Sequence, residues 1–242
     1  MKSTTHSLFL SAVMLSAAPA AVIYTESFNP TFDTNPKSFS SVQWSAHRGA
    51  SALDVSTSTT SSYIITNSTG AGGVAGIGAR IGLNEIGMAW TSDFTPVPLA
   101  DLVSISFQSN NNLTTDLSRI TIGIDVGGSV QWFATSQTFG RDNAIAGTSS
   151  NFGTNGELES LVFSTDASGW RTLTFVSGSS LILGAVSGSA VPSGTLAGVG
   201  ILTETNAETM RFDQFQIEAV PEQSVVAAVI PGLLLMGWRR RH

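Results

Sequence analysis

Short runs of β-branched and aromatic residues recur about every ten positions between residues 22 and 219, separated by Gly, Asn, Asp, Ser or Pro. Such runs are typical of β-strands, and the residues between them are typical of turns. No apolar repeat of helical period is long enough to predict a helix in this region. The pattern predicts strands near 22–28, 42–45, 63–66, 74–81, 88–91, 102–108, 119–126, 130–138, 158–163, 170–176, 181–183, 195–202 and 210–218.

Three local patterns refine this prediction. In the run 119–126 apolar residues occupy every second position, which places them on one face of a strand. Gly127 and Gly128 then predict a tight hairpin turn into the next strand. In the last run, Phe212 and Phe215 are offset by three positions, which predicts a β-bulge. The segments 110–112 and 140–156 are predicted to be surface loops.

About a dozen strands in about 200 residues, with no linker and no internal repeat, favour one domain over two. We therefore predict an all-β fold with a single jelly-roll-like antiparallel β-sandwich over residues 21–219. The runs 24–28, 170–175 and 210–217 resemble strands of jelly-roll domains of the concanavalin-like and carbohydrate-binding-module type. This resemblance concerns the fold and carries no specific activity.

The first twenty residues predict a secretory signal peptide. Lys2 gives a positive start, the run 8–15 is apolar, and Ala18 and Ala20 fit the small-residue positions of a cleavage site. We expect cleavage after Ala20, and therefore export.

Residues 220–242 predict a sorting and membrane-anchor tail. A Pro221, Glu222, Gln223 triplet precedes the apolar run 225–238, which at 1.5 Å per residue reaches about 21 Å and so falls short of a full span. The basic end is expected to stay in the cytoplasm, leaving the domain outside. The membrane segment includes Val225, Leu233, Leu234, Leu235 and Trp238, and the basic anchor is Arg239, Arg240 and Arg241.

This order of parts resembles the PEP-CTERM sorting signal of Gram-negative bacteria. Pro221 and Glu222 match its motif, whereas Gln223 stands where the family usually has a second proline. The resemblance implies processing by an exosortase, a membrane protease. It also implies an inner-membrane intermediate, followed by the cell surface or the extracellular matrix, where polysaccharide is an expected partner.

Composition excludes several functions. The chain has no cysteine, which rules out thiolate catalysis, cysteine-ligated zinc and iron–sulfur clusters. The formal net charge is −6, and four of the eleven basic residues lie outside 21–219, so the body is more acidic still. Nucleic-acid binding relies on clustered Lys and Arg and is therefore not expected.

Catalytic groups are sparse. His47 is the single histidine between the two flanking segments, no G-x-S-x-G motif accompanies it, and it is expected in an exposed loop. Glu157 and Glu159 would share one face of a strand, like the paired carboxylates of a glycosidase, but solvated charges at a sheet edge explain them better. The glycine-rich segment 70–82 lacks the lysine of a phosphate loop and is predicted to be a strand.

Glu26 and Asp213 are the candidate metal ligands. Jelly-roll carbohydrate-binding modules commonly hold a structural calcium ion with acids of the terminal strands, and the resemblance implies such a site here. Calcium takes several carboxylate and carbonyl oxygens, and a site that joins the two chain ends would tie the sandwich together. The sequence lacks a D-x-D-x-D-G loop.

Four tryptophans in the predicted strands could stack on sugar rings, namely Trp44, Trp90, Trp132 and Trp170. Core packing is the expected fate of most, with at most one on a binding surface. The first functional hypothesis is a non-enzymatic exported protein, structural or adhesive in the extracellular matrix. The alternatives are a carbohydrate-binding module with a structural calcium ion and, third, a glycan hydrolase.

Overall fold

The structure is a computed structural model that describes residues 18–28, 39–49, 51–53, 63–66, 73–78, 86–109, 118–140, 157–204 and 209–221. Within these ranges the regular elements are fourteen β-strands and three short 3-10 helices. None of these helices is long and apolar enough to cross a membrane. The predicted all-β class is confirmed.

The strands follow the turn-bounded apolar runs of the sequence. They are β1 (Ala21–Glu26), β2 (Trp44–Arg48), β3 (Ser51–Leu53), β4 (Tyr63–Thr66), β5 (Gly73–Gly78), β6 (Gly87–Thr91), β7 (Leu102–Ser109), β8 (Ser118–Asp125), β9 (Val130–Thr135), β10 (Glu157–Val162), β11 (Trp170–Val176), β12 (Ser180–Val186), β13 (Thr195–Thr203) and β14 (Thr209–Ala219). The 3-10 helices are Phe39–Val42, Leu99–Asp101 and Ala167–Gly169.

Two antiparallel sheets form a β-sandwich, as predicted. The six-stranded sheet has the order β10-β7-β14-β5-β4, and β1 pairs with the second half of β14. The eight-stranded sheet has the order β12-β11-β9-β8-β13-β6-β2-β3. The chain passes repeatedly from one sheet to the other, and this brings its first and last described strands together as neighbours.

The main core lies between the two sheets, where strand alternation directs one set of side chains inward. The isoleucines at positions 120, 122 and 124 of β8 are fully buried there, as their spacing predicts. At the middle of the core Trp44 contacts four aromatic rings and is 1% exposed. These rings belong to Phe28, Phe39, Phe212 and Phe215.

Both predicted backbone irregularities are present. Gly127 and Gly128 form the β8–β9 turn with φ of 63° and 90°, and the Gly128 N–H donates to Asp125 Oδ1 at 2.6 Å. The register of β14 against β7 shifts between Asp213 and Gln216, and Gln214 has a φ of 50°. The bulge lets Phe212 and Phe215 both face the core.

The sequence pattern was wrong around β2. Residues 39–42 form a 3-10 helix, the strand begins only at Trp44, and the short β3 was not predicted. His47, expected in an exposed loop, lies in β2 and is fully buried. The cause is the neighbouring strand β6, which pairs with β2 along its whole length and draws it into the sheet.

Both targeting segments lie almost wholly outside the described residues, which begin at 18 and end at Pro221. Pro221 directly follows β14 and is exposed. Glu222, Gln223, the apolar run 225–238 and the terminal arginines are not described, so the sorting tail stays a prediction. The predicted loops at 110–112 and 141–156 also lie outside the described residues.

Candidate ligand-binding face

A second apolar cluster covers the face of the eight-stranded sheet that points away from the main core. Its buried part consists of four aliphatic side chains, Met88, Leu173, Leu181 and Leu202. Three half-buried rings pack on it, those of Trp90, Trp132 and Phe175, and we call these three residues the aromatic face. Strand alternation produces this arrangement, because residues 89, 133 and 201 point inward between them.

The three rings of the aromatic face touch one another edge to face. Centroid distances are 4.7 Å for Trp90–Phe175, 5.5 Å for Trp132–Phe175 and 6.3 Å for Trp90–Trp132. The interplanar angles lie between 70° and 89°. Edge-to-face contacts of this kind add to the stability that burial gives and fix the orientation of the rings.

Glycines in the middle of the sheet make room for the indoles. Gly123 and Gly198 pair across β8 and β13. A Cβ atom would come within 2.9 Å of Trp132 Cζ2 from Gly123, and within 2.7 Å of Trp132 Cη2 from Gly198. At Gly200 a Cβ would lie 2.1 Å from the carbonyl oxygen of Ala89. The Trp132 ring can therefore extend from β9 over β8 to β13.

The sheet is strongly concave on this side. Phe175 lies on β11 and Trp90 on β6, with β9, β8 and β13 between them. In a flat sheet, four strand spacings would separate the two backbones by about 19 Å. The contact of their rings at 4.7 Å shows that the β11–β12 hairpin curls over the face.

The hairpin tip reaches the far side of the sheet. The Gly178 N–H, in the β11–β12 turn, donates to His47 Nε2 on β2 at 3.0 Å. The imidazole also packs edge to face on Phe175, with centroids 5.2 Å apart. Burial lowers the pKa of His47 below its ordinary value of 6.5. No triad forms around His47 among the described residues, because the two described contacts of its ring are with a backbone amide and a phenyl ring.

The structure separates the four candidate tryptophans into two pairs. Trp44 and Trp170 are buried in the main core, as expected for most of them, and their indole N–H groups donate to Tyr24 Oη and to the carbonyl oxygen of Ser164, both at 2.7 Å. Trp90 and Trp132 are half-buried and adjacent, whereas the sequence favoured at most one on a binding surface. The sequence signal that could have indicated this pair is the set of glycines that lie against the two tryptophans, at positions 123, 198 and 200.

The structure brings the two predicted calcium ligands together at the bulge of β14. Burial raises the pKa of Asp213 to about 7. The hydrogen bond that the Gln214 N–H donates to Asp213 Oδ1 at 2.7 Å lowers this pKa in part, whereas the charge of Glu26 raises it further. The pKa of Glu26 is also raised by burial, against the opposing hydrogen bond from the Phe28 N–H at 2.6 Å.

Two half-buried or buried carboxylates that repel each other and face no described cation suit a divalent ion chemically. Within the described residues, however, no group of three or more His, Cys, Asp or Glu side chains could hold a metal. Backbone carbonyls or water would have to complete a calcium shell around Glu26 and Asp213.

The second candidate pair of carboxylates lies in a different place. Glu157 and Glu159 are on β10, the edge strand of the six-stranded sheet. Glu157 is exposed, and Glu159 Oε1 accepts hydrogen bonds from Ser109 Oγ at 3.0 Å and from the Gly140 N–H at 3.1 Å. They are charges at a sheet edge, as the sequence indicated.

Comparison with known proteins gives similarity to solved structures in fold alone. No family model matches the chain. No curated protein matches it either. Among solved structures, it is similar to the CBM22-1 xylan-binding domain from Paenibacillus barcinonensis Xyn10C, with a TM-score of 0.42 and 11% sequence identity over 86% of this chain and 100% of that one.

Proposed function

We propose that this chain is a non-enzymatic, exported glycan-binding protein whose binding surface is the aromatic face. The observation that carries the proposal is the pairing of Trp90 and Trp132, half-buried and adjacent on a concave sheet surface. Large aromatic rings with one side on the protein and another side accessible suit the apolar C–H faces of pyranose rings. The chemistry offered is stacking and burial, which binds sugar without transforming it.

The surroundings of the rings favour binding. Buried aliphatic side chains such as Met88 and Leu202 support them from below, and the edge-to-face contacts hold them at fixed angles. A ring that is already immobile loses little entropy when a ligand arrives, so more of the contact energy remains as affinity. The concave curvature brings several rings within reach of one chain of sugars.

Charge favours a neutral glycan over an acidic one. The net charge is −6, and all but one of the seventeen acidic residues lie in 21–219. Repulsion between like charges would weaken the binding of polyuronates or sulfated glycans. A hydrolytic role is less well supported, because Glu157 and Glu159 lie on the six-stranded sheet rather than on the aromatic face.

Export and sorting belong to the same proposal. The signal-peptide pattern of residues 1–20 and the PEP-CTERM-like tail of residues 220–242 support delivery through an exosortase to the cell surface or the matrix. Extracellular polysaccharide would be the partner met there, and binding it would give the protein a structural or adhesive role.

Removing either indole should abolish most of the affinity. We expect Trp90→Ala and Trp132→Ala to weaken binding to neutral polysaccharides at least tenfold, because buried tryptophans commonly carry more than 1.4 kcal/mol of a binding interface. A glycan array with the full-length protein identifies the ligand, and affinity electrophoresis with that polysaccharide measures the loss.

A matched control distinguishes stacking on the aromatic face from non-specific hydrophobic binding. Ile182 lies on the edge strand β12 and is 59% exposed, so Ile182→Ala removes apolar surface away from the aromatic face. It should leave affinity unchanged. If the wild-type protein binds no glycan on the array, or if Ile182→Ala weakens binding as much as the tryptophan variants, the proposal is wrong.

We further propose that Glu26 and Asp213 hold a structural calcium ion. Supporting this are the proximity of the two acids, the burial of Asp213 and the mutual repulsion that a cation would remove. They connect β1 to β14, so a bound ion would stabilise the closure of the six-stranded sheet at this point.

Calcium should raise the melting temperature of the chelator-treated protein. At a hundredfold excess over Kd, binding adds about 2.7 kcal/mol, which corresponds to about 5–10 °C for a domain of this size. Magnesium, which requires a compact octahedral shell, should have little effect. Differential scanning calorimetry of the wild type, Glu26→Gln and Asp213→Asn tests this. An equal calcium shift in all three would place the ion elsewhere.

A further inference from the structure

His47 is the one fully buried imidazole among the described residues, and it connects two distant parts of the eight-stranded sheet. It lies on β2, near one edge, while Gly178 lies in the turn of the hairpin that forms the opposite edge. Five strand spacings, about 24 Å in a flat sheet, separate β2 from β11. The hydrogen bond from the Gly178 N–H to Nε2 therefore exists only while the hairpin is curled over.

This hydrogen bond defines the protonation state of the ring. An N–H can donate to Nε2 only when Nε2 carries no proton, so the imidazole is neutral with its proton on Nδ1. Nδ1 is buried without a partner among the described residues. Protonation at Nε2 would leave two donors facing each other and would place a full charge inside an apolar site.

None of the described groups around the ring would compensate that charge. The cross-strand partners of His47 are Met88 on β6 and Ala52 on β3, and the hairpin contributes Phe175 and Gly178. None of these residues is titratable or charged. The nearest charged residue along β2 is Arg48, the neighbour of His47 in sequence.

We infer that the hydrogen bond between the Gly178 amide and His47 is an acid-sensitive latch, which holds the tip of the β11–β12 hairpin across the aromatic face until His47 is protonated. Release of the tip lets Phe175, three residues before Gly178, move away from Trp90 and Trp132. The buried aliphatic cluster beneath them becomes accessible to water. The step is a conformational change of the chain itself and occurs with or without a glycan.

The pH range follows from the two states of the latch. When the hairpin is open, His47 is solvated and has a pKa of about 6.5. When the hairpin is closed, burial lowers the pKa of His47. Opening therefore becomes more favourable as the pH falls below about 6.5, by up to about tenfold per pH unit, and levels off below the pKa of the closed state.

Hydrogen–deuterium exchange of the full-length protein, followed by mass spectrometry and corrected for the intrinsic pH dependence of exchange, tests this directly. Between pH 7.5 and 5, the amides at 176–180 should progressively lose protection in the wild type. His47→Gln places an amide oxygen, a neutral acceptor that does not titrate, near the position of Nε2. In this variant the hairpin should keep its protection across the same range.

A second variant keeps the test decisive if glutamine does not reach Gly178. His47→Phe fills the site but offers no acceptor, so its hairpin should be poorly protected at every pH. The 196–202 segment of β13 serves as an internal reference and should stay protected in all three proteins. The latch is refuted if the hairpin of both variants loses protection with acid as the wild type does, or if wild-type protection does not change.

Discussion

Trp44→Ala is expected to lower the free energy of unfolding by about 3–5 kcal/mol, the range measured for removal of a large aromatic side chain from a core. Trp44 lies on the eight-stranded sheet and is 1% exposed. Its ring contacts Phe212 and Phe215 on β14 of the six-stranded sheet, and Phe28 and Phe39 on segments outside the strands. The rings around it are held by several backbones, so they cannot collapse fully into the cavity. Urea unfolding followed by far-UV circular dichroism measures the loss.

Trp44→Phe and Tyr24→Phe divide that loss into packing and hydrogen bonding. The Trp44 indole donates to Tyr24 Oη at 2.7 Å, and burial raises the pKa of Tyr24 to about 12. A double-mutant cycle should give a coupling of about 1 kcal/mol for this hydrogen bond. Val186→Ala, on the edge strand β12 at 52% exposure, is the surface control and should cost less than about 0.5 kcal/mol. A loss below about 1.5 kcal/mol in Trp44→Ala would contradict the central position of this ring.

Strands with a clear period or a clear turn could be predicted from the sequence alone. The segments 63–66 and 170–176 have the predicted bounds, and the hairpin at Gly127 and Gly128 and the bulge before Phe215 are where they were expected. In each case the signal is local, because alternation, a glycine pair or an offset between apolar residues specifies the backbone without help from distant residues.

The environment of β2 could not be predicted in this way. His47 lies in a segment without alternation, and its burial results from β6 beside it and from a hairpin more than 120 positions later in the chain. A polar residue in such a place looks like a loop residue when only its neighbours in sequence are considered. Long-range pairing overrides local preference here.

The aromatic face shows the same limit. Trp170 and Phe175 lie on opposite faces of β11, as strand alternation requires of residues five positions apart. Alternation does not reveal that the sheet curls until Phe175 meets Trp90 across three strands. The room for the indoles depends on glycines that the sequence marks only as weak strand residues. Gly198 is needed because the Trp132 ring lies over it and leaves no room for a side chain.

Asp213→Asn should stabilise the calcium-free protein by about 2–4 kcal/mol at pH 8. The Asp213 carboxyl has an ordinary pKa near 3.8 and a folded-state pKa of about 7, raised first by burial and further by Glu26. Between those values the folded protein binds more protons than the unfolded chain, so stability falls as the pH rises from about 4 to 7 and stays low above 7. Each unit of difference is worth 1.36 kcal/mol. Asparagine retains the Oδ1 acceptor for the Gln214 N–H but carries no charge, so it removes this dependence.

The difference in the free energy of unfolding between variant and wild type contains the contribution of the Asp213 carboxyl but not that of His47. His47 contributes in the opposite direction, because its lowered pKa makes stability fall as the pH decreases below about 6.5. Measured by urea unfolding in chelator, the difference should be large at pH 8 and vanish near pH 4. Glu218→Gln on the same strand is the matched control for the removal of a carboxylate charge: Glu218 accepts a hydrogen bond from Ser104 at 2.8 Å, and this variant should not be more stable than the wild type at pH 8. Calcium should reverse the order, because the ion needs the charged form that burial penalises. If Asp213→Asn is less stable than the wild type at pH 8 in chelator, the charged Asp213 carboxylate does not destabilise the folded state as its burial beside Glu26 indicates.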